Sequence, residues 1–348
     1  MHLCNGNLQE EGTIAKPDKR RTLCQLLPVW GNFMNNLIEI ENIRKYYPIN
    51  RGFFSKKKGD VKAVDGISFS IGRGETIGLA GESGCGKSTL GRTILKLEEP
   101  DSGKILFRGS DITNFRKDRL KEFRKECQII FQDPKSSLDP RMTVGNSIEE
   151  ALAIHNIGDR ESRESIVEEL LIKVGLEPDF ITRYPHELSG GQQQRIGIAR
   201  ALAVNPGLIV ADEPVSALDV SVQAQILNLL MELKKELKLS YLFIAHNLYV
   251  IRYISDRVAI MYLGKIVELA SKDELFENPL HPYTVALLSS IPGSKDRKIL
   301  RGEVPSPINP PHGCRFHTRC EKKLDICNII EPGMKEVGKG HFVMCHLY

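Results

Sequence analysis

One run of nine residues limits what this chain can fold into: Gly81, Glu82, Ser83, Gly84, Cys85, Gly86, Lys87, Ser88 and Thr89. It fits G-x-x-x-x-G-K-[ST], follows the apolar strand candidate Thr76–Ala80, and opens a helix-like run from Thr89 through Leu97. Strand, glycine-rich turn and helix in that order gather backbone N–H groups and a helix amino terminus around one point, which suits phosphate oxygens. Lys87 is then expected to bridge the outer phosphates of a nucleotide and Ser88 to hold Mg²⁺. Cys85 reads as a small loop residue and not as a nucleophile. A glycine-rich turn with an incidental lysine would not call for both flanking elements.

The rest of the pattern supplies a sheet for that turn. Strand candidates recur at 63–71, 76–80, 128–131, 208–211, 241–245 and 257–262, after an alternation that begins at Leu37-Ile38-Glu39-Ile40. Ile226, Leu229, Leu230, Leu233 and Leu237 form one helical stripe, and Ile166, Leu170, Leu171 and Val174 form another that stops at Gly175. Val-, Ile- and Leu-rich strands alternating with helices predict an α/β fold with a mainly parallel sheet covered on both faces. Residues 1–36 lack periodicity and read as a disordered leader, or as a misassigned start with Met34 the initiator. The stretch 48–60 reads as a loop. Prolines thicken after about residue 270, which places a boundary between a domain at 37–270 and a tail at 271–348.

Further candidates lie where strands end. Leu208-Ile209-Val210-Ala211 runs into Asp212 and Glu213, where parallel strands present ligands, so Asp212 is expected to bind the metal's water shell and Glu213 to act as general base. Two acids there could instead cap the next helix. His246, after Tyr241–Ala245, is placed to reach the γ-phosphate, and Gln132 follows the strand at 128–131. Leu188-Ser189-Gly190-Gly191-Gln192 opens a helix running to Ala203, whose free amides and dipole face an anion. The loop at Lys87 already encloses its own phosphates, so this second helix tip needs a phosphate from elsewhere.

The ordered set of Gly81 to Thr89, Gln132, Leu188 to Gln192, Asp212-Glu213, Ser216-Ala217-Leu218-Asp219 and His246 resembles the nucleotide-binding subunit of an ATP-binding cassette (ABC) transporter over roughly residues 37–265. The resemblance implies the P-loop NTPase fold of that family, with flanking antiparallel strands and a helical subdomain at about 135–190, and ATP with Mg²⁺ as ligands. It implies that Tyr47 stacks on adenine, with Tyr46 the other candidate. Gln132 would sense Mg²⁺ and the membrane subunit, Asp219 would lie across a dimer interface, and Ser189, Gly190 and Gly191 would contact the partner's ATP.

The tail refines the resemblance. Leu280-His281-Pro282-Tyr283-Thr284, Gly302-Glu303-Val304-Pro305-Ser306-Pro307 and Gly313-Cys314-Arg315-Phe316-His317 are similar to the tails of ATPase subunits from oligopeptide and dipeptide importers, most like the second ATPase of the pair. That implies an ATPase on the cytoplasmic face of the cell membrane, working with two membrane-spanning permease subunits and, indirectly, an extracytoplasmic peptide-binding protein. A related ATPase as dimer partner is favoured, a homodimer is allowed, and related importers carry nickel, glutathione or other small solutes. Cys314, Cys320, Cys327 and Cys345 have five, six and seventeen residues between them, unlike the paired C-x-x-C knuckles of zinc ribbons. Four thiolates suit an iron–sulfur cluster or a structural metal, and in the family such cysteines can ligate [4Fe–4S], with zinc the alternative.

Bulk properties exclude other classes. With 48 basic and 44 acidic residues the chain is too balanced for nucleic acid to be its principal ligand. No stretch nears the roughly 18–20 apolar residues that cross a bilayer, so membrane association is expected to come through a partner and the chain to stay in the cytosol. A chromosome-maintenance ATPase would split this head with long coiled coils, and only about 100 residues separate Lys87 from Ser189. A tandem-cassette ribosome factor would carry two motif sets, and this chain has one.

Overall fold

The computed structural model describes residues 36–49, 59–290, 300 and 302–348. The expected leader up to residue 35, and residues 50–58 of the expected loop, lie outside these.

Five short strands make the centre of the larger sheet. In spatial order they are β6 (Cys127–Ile130), β7 (Leu208–Asp212), β8 (Ser240–Ile244), β3 (Thr76–Ala80) and β9 (Arg257–Tyr262), each parallel to its neighbour. Every residue of β3, β7 and β8 is buried, as expected for strands with helices on both faces. The parallel order sends the carboxyl ends of β3, β7 and β8 to one edge. The cradle at 81–89, the acids Asp212 and Glu213, and His246 all follow those ends.

A second sheet stands against the first. β1 (Asn36–Pro48) pairs antiparallel with β2 (Asp60–Gly72) and with β4 (Ser102–Phe107), and β5 (Ser110–Asp111) adds to β4. The register sets Tyr47 opposite Val61. Asp65 N donates to Gly264 O at 2.9 Å, tying β2 to the turn after β9.

Helices at Val144–Ile154, Arg160–Lys173 and Gly190–Leu202 pack together on one side. Thr143 and Asp159 cap the first two. The second ends as expected just before Gly175, whose φ of +74° closes the helix. Its buried face differs slightly from the expected stripe: Val167, Leu171 and Val174 are the buried positions, whereas Ile166 and Leu170 are only partly covered. The helix is turned by about one position because Val167 meets the core that Ile148, Leu152 and Ile196 share.

The tail continues the larger sheet. β10 (Lys265–Ser271) pairs antiparallel with β9 and with β12 (His341–Val343), and β11 (Lys335–Gly338) closes the edge. Beneath this edge sits a buried polar knot. The Glu268 carboxylate accepts from the backbone N of Leu280 at 2.7 Å and of His281 at 2.9 Å, and His341 Nε2 lies 2.7 Å from it. His281 Nδ1 accepts from Tyr283 N and caps the helix Pro282–Ser289. Burial lowers the His281 pKa from 6.5 to about 4, against the opposing pull of Glu268.

Between those two values the unfolded chain binds a proton that the folded chain refuses, so stability is full above pH 6.5 and falls as pH drops toward about 4. His281→Asn keeps a side-chain oxygen for the cap and removes the titration. Its Tm should vary less with pH across that window than the parent's. An unchanged slope would show that His281 is not the group responsible.

Candidate active site

The cradle is held in shape from below. Gly86 has φ +108°, and a Cβ there would lie 1.9 Å from Ala63 O. Gly81 is as crowded, with Met261 O 2.2 Å from the equivalent point. The loop is therefore pressed onto β2 and the end of β9, and only glycine allows that approach. Lys87 crosses beneath it, its Nζ donating to Gly81 O at 2.9 Å and to Glu82 O at 3.1 Å. Cys85 is buried, and burial raises its thiol pKa, which keeps it protonated and fits a packing role.

Above the loop opens a cleft of about 400 Å³, lined by Tyr47, Val61 and Ala63 on one side and by Gln132, Glu213 and His246 on another. Ser83, Gly84, Gly86, Lys87, Ser88 and Thr89 form its floor. Val61 and Ala63 were not singled out in the sequence, because they enter only through the β1–β2 register.

The acids are differentiated by position. Asp212 is 2% exposed, and its Oδ1 accepts from Ser88 Oγ at 2.7 Å. Burial raises its pKa, while the Ser88 hydrogen bond and Arg92, 4.0 Å away, oppose the rise. A hydroxyl and a carboxylate side by side at the phosphate floor are the hard oxygen donors that suit Mg²⁺, which takes few protein ligands and completes its shell from phosphates and water. Glu213 is one residue further out, in the left-handed region at φ +47°, where backbone strain is uncommon without a reason. Gln132 Nε2 donates to its Oε2 at 3.0 Å, and His246 Nδ1 lies 3.4 Å from the same oxygen. The alternative capping role is not what these acids do, since Glu213 lines the cleft and Asp212 accepts from Ser88.

The two tyrosines part company. Tyr47 lines the cleft and donates its hydroxyl to Glu98, with Lys45 Nζ 5.4 Å from its ring centre. Tyr46 donates to Asp65 outside the cleft, and its pKa rises to about 12, first through burial. Glu82 also turns away from the cleft, toward Arg319.

Ser189, Gly190, Gly191, Gln192 and Asp219 do not line the cleft. Ser189 Oγ accepts from Gln192 N at 3.3 Å, and Gln192 Oε1 accepts from Ser189 N at 2.9 Å, a reciprocal cap. The cap satisfies one end of the first turn and leaves the Gly190 and Gly191 amides without a partner among the described residues. Beside them, points where these glycines would carry Cβ atoms lie 3.5 Å from Leu218 and 2.6 Å from Val222, so the signature turn and the Asp219 segment share one face.

The geometry of the tail cysteines gives the expected metal site no support. Cys314, Cys320, Cys327 and Cys345 are free thiols, and Cys314 N donates to Cys327 O at 2.7 Å. Among the described residues, however, no three His, Cys, Asp or Glu side chains are gathered to hold a metal ion. Burial pushes Cys314 up to about 11 and also raises Cys320 and Cys345, with neighbouring thiols adding to the effect. These raised values belong to the metal-free thiols, and binding a metal would displace the protons.

The cradle geometry predicts that Gly86→Ala should cost about 2 kcal/mol or more and weaken nucleotide binding, because the methyl must displace Ala63 or unwind the loop. Thermal melting and a nucleotide titration check this; parental values in both would contradict the packing.

Known proteins are similar to this chain in sequence and in fold. Residues 64–216 match the ABC transporter family, and residues 267–327 match the family described as oligopeptide/dipeptide transporter, C-terminal region. Oligopeptide transport ATP-binding protein AppF of Bacillus subtilis is 57% identical over 320 residues, covering 90% of this chain and 97% of that protein. The putative oligopeptide transport ATP-binding protein YkfD of the same organism is 51% identical, covering 90% and 95%. Among solved structures, the dimeric post-hydrolysis state of the ATP-binding cassette MJ0796 bound to ADP and Pi aligns with a TM-score of 0.60 at 30% identity, covering 68% of this chain and 98% of that one. CbiO1 from Clostridium perfringens, part of the ABC transporter complex cbiONQ, aligns with a TM-score of 0.60 at 27% identity, covering 70% and 92%. The chain belongs to the ATP-binding proteins of ABC transporters, in the group that carries the oligopeptide/dipeptide transporter C-terminal region.

Proposed function

We propose that this protein is the ATP-hydrolysing subunit of an importer for oligopeptides or dipeptides, seated on the cytoplasmic face of the cell membrane against two permease subunits. The observation that carries the catalytic part is the Glu213 carboxylate, held at the cleft between Gln132 and His246, one residue beyond the Asp212–Ser88 pair. The peptide part is supported by the tail match and by relatives that are oligopeptide transport ATP-binding proteins, AppF and, putatively, YkfD. No helix among the described residues is long and apolar enough to cross a membrane, so coupling to transport has to pass through partner subunits.

In this reading the amides of 81–89 and the Lys87 ammonium enclose the phosphates, and Tyr47 supports the base. Bound Mg²⁺, held by Ser88 with Asp212 behind it and Gln132 nearby, would neutralise phosphate charge. Glu213 takes a proton from the attacking water as its oxygen bonds to the γ-phosphorus and the bond to the β-phosphate oxygen breaks. His246 orients the γ-phosphate and keeps Glu213 aimed. Ser189 and the Gly190 and Gly191 amides close on the ATP of a neighbouring ATPase, with Asp219 at the same interface and Gln192 fixing the turn. Binding therefore draws two ATPases together and hydrolysis releases them. The dimer partner favoured is a related ATPase, with an extracytoplasmic peptide-binding protein delivering cargo to the permeases. The four tail thiols would have to draw closer and lose protons to hold an iron–sulfur cluster, and no step is routed through one.

Glu213→Gln should lower ATP turnover by ~100-fold or more and accumulate ATP-bound dimers, as loss of a general base requires. Lys87→Ala should lose nucleotide binding or hydrolysis. Turnover assays and sizing with MgATP decide, and parental turnover in Glu213→Gln would refute the assignment. For the cargo, the complex co-purified with its permeases and binding protein should hydrolyse ATP faster when peptide is added; stimulation by nickel or glutathione instead would reassign the solute.

A further inference from the structure

The phosphate cradle contains a carboxylate. Glu82 is its second residue, and a negative charge there opposes the binding of a polyanion unless something compensates it. The compensation comes from 237 residues away: Arg319 NH1 donates to Glu82 Oε2 at 2.9 Å and to Oε1 at 3.2 Å, and NH2 donates to Oε1 at 3.2 Å. The arginine side chain is 6% exposed and the glutamate 25%. Forked contact of this kind fixes direction as well as charge.

The same loop residue is held at its other polar atoms. Glu82 N donates to Tyr283 Oη at 3.0 Å, and Glu82 O accepts from Lys87 Nζ at 3.1 Å. Tyr283 is fully buried, and its ring packs against Tyr262 and Phe316 with centroids 4.7 and 5.4 Å apart. Arg315 anchors the same tail turn to the Asp65 carboxylate and to Leu263 O. The segment bearing Arg319 is thus bonded to the strand end and to β2, and does not hang free.

We propose that Arg319 is a positioning residue for nucleotide binding: it neutralises Glu82 and keeps that carboxylate turned away from the phosphates, so that the tail is a working part of the ATP site. The inference rests on the reading of residues 81–89 as the nucleotide cradle. Arg319 touches no reacting atom and acts through Glu82.

A double-mutant cycle on the full-length chain tests it, with fluorescent MgATP-analogue titrations at fixed salt as the readout. Arg319→Ala should weaken binding on the order of ten-fold, the effect of about 1.4 kcal/mol at a partly solvated charge pair. Adding Glu82→Gln should restore affinity to within about three-fold of the parent, because a neutral amide does not repel phosphate. Parental affinity in Arg319→Ala would overturn the proposal, and so would a loss that Glu82→Gln fails to repair, which would mark a purely structural role. Should Arg319→Ala not fold, Arg319→Met decides: a loss of about ten-fold supports charge compensation, and affinity within about three-fold of the parent contradicts it. If the parent binds no better than Lys87→Ala, the cradle reading itself fails, a result distinct from these.

Discussion

Three parallel strand ends brought side by side are the constraint on which the site depends. β3, β7 and β8 are neighbours in the sheet, and each is buried along its whole length, so none can slide without exposing apolar residues to water or to the wrong face. Their order places the cradle, the acid pair and His246 at one edge with no further instruction. Ser88 meets Asp212 across 124 positions of sequence because β3 and β7 flank β8. Glu213 departs from ordinary backbone geometry at the point where the strand stops, and its carboxylate is met from two sides. The strain is local, and the packed strands beneath it absorb the cost.

The proposed sharing of a nucleotide between two chains turns on where the helix tip at Ser189 lies. The Ser189–Gln192 cap joins the ends of its own first turn, and neither Gly190 nor Gly191 lines the cleft that holds Lys87. On the proposed function, one chain supplies the phosphate floor and a neighbour supplies the lid, so that a nucleotide uses both between two chains. The tail enters from a third direction, joining the sheet through β12 and reaching the cradle through Arg319 and Tyr283.

Much of this was readable before the fold was known. The apolar runs read at 76–80, 208–211 and 241–245 are too short for helices and match the buried strands, and the glycine loop is interpretable because of what flanks it. Tyr47 over Tyr46 came from the resemblance and not from the strand pattern, since adjacent strand residues point to opposite faces and only pairing with β2 says which face meets the cleft. The tail strand Lys335–Gly338 was equally hidden: every residue in it is exposed, so it carries no alternation. The bond between Glu82 and Arg319 leaves no local trace at all, because nothing near either residue records a partner more than two hundred positions away. The tail thiols are a different case: their number and spacing resemble a ligand set, yet among the described residues no three such side chains are gathered as a metal centre.

The sandwich is tested most directly by following ATP turnover per chain against chain concentration, with molar mass measured at each point, for the parent and for Ser189→Arg. The account predicts that turnover rises as dimers form, and that Ser189→Arg binds ATP in its own cradle but does not turn it over. A constant rate per chain down to strictly monomeric protein, with Ser189→Arg as active as the parent, would contradict it.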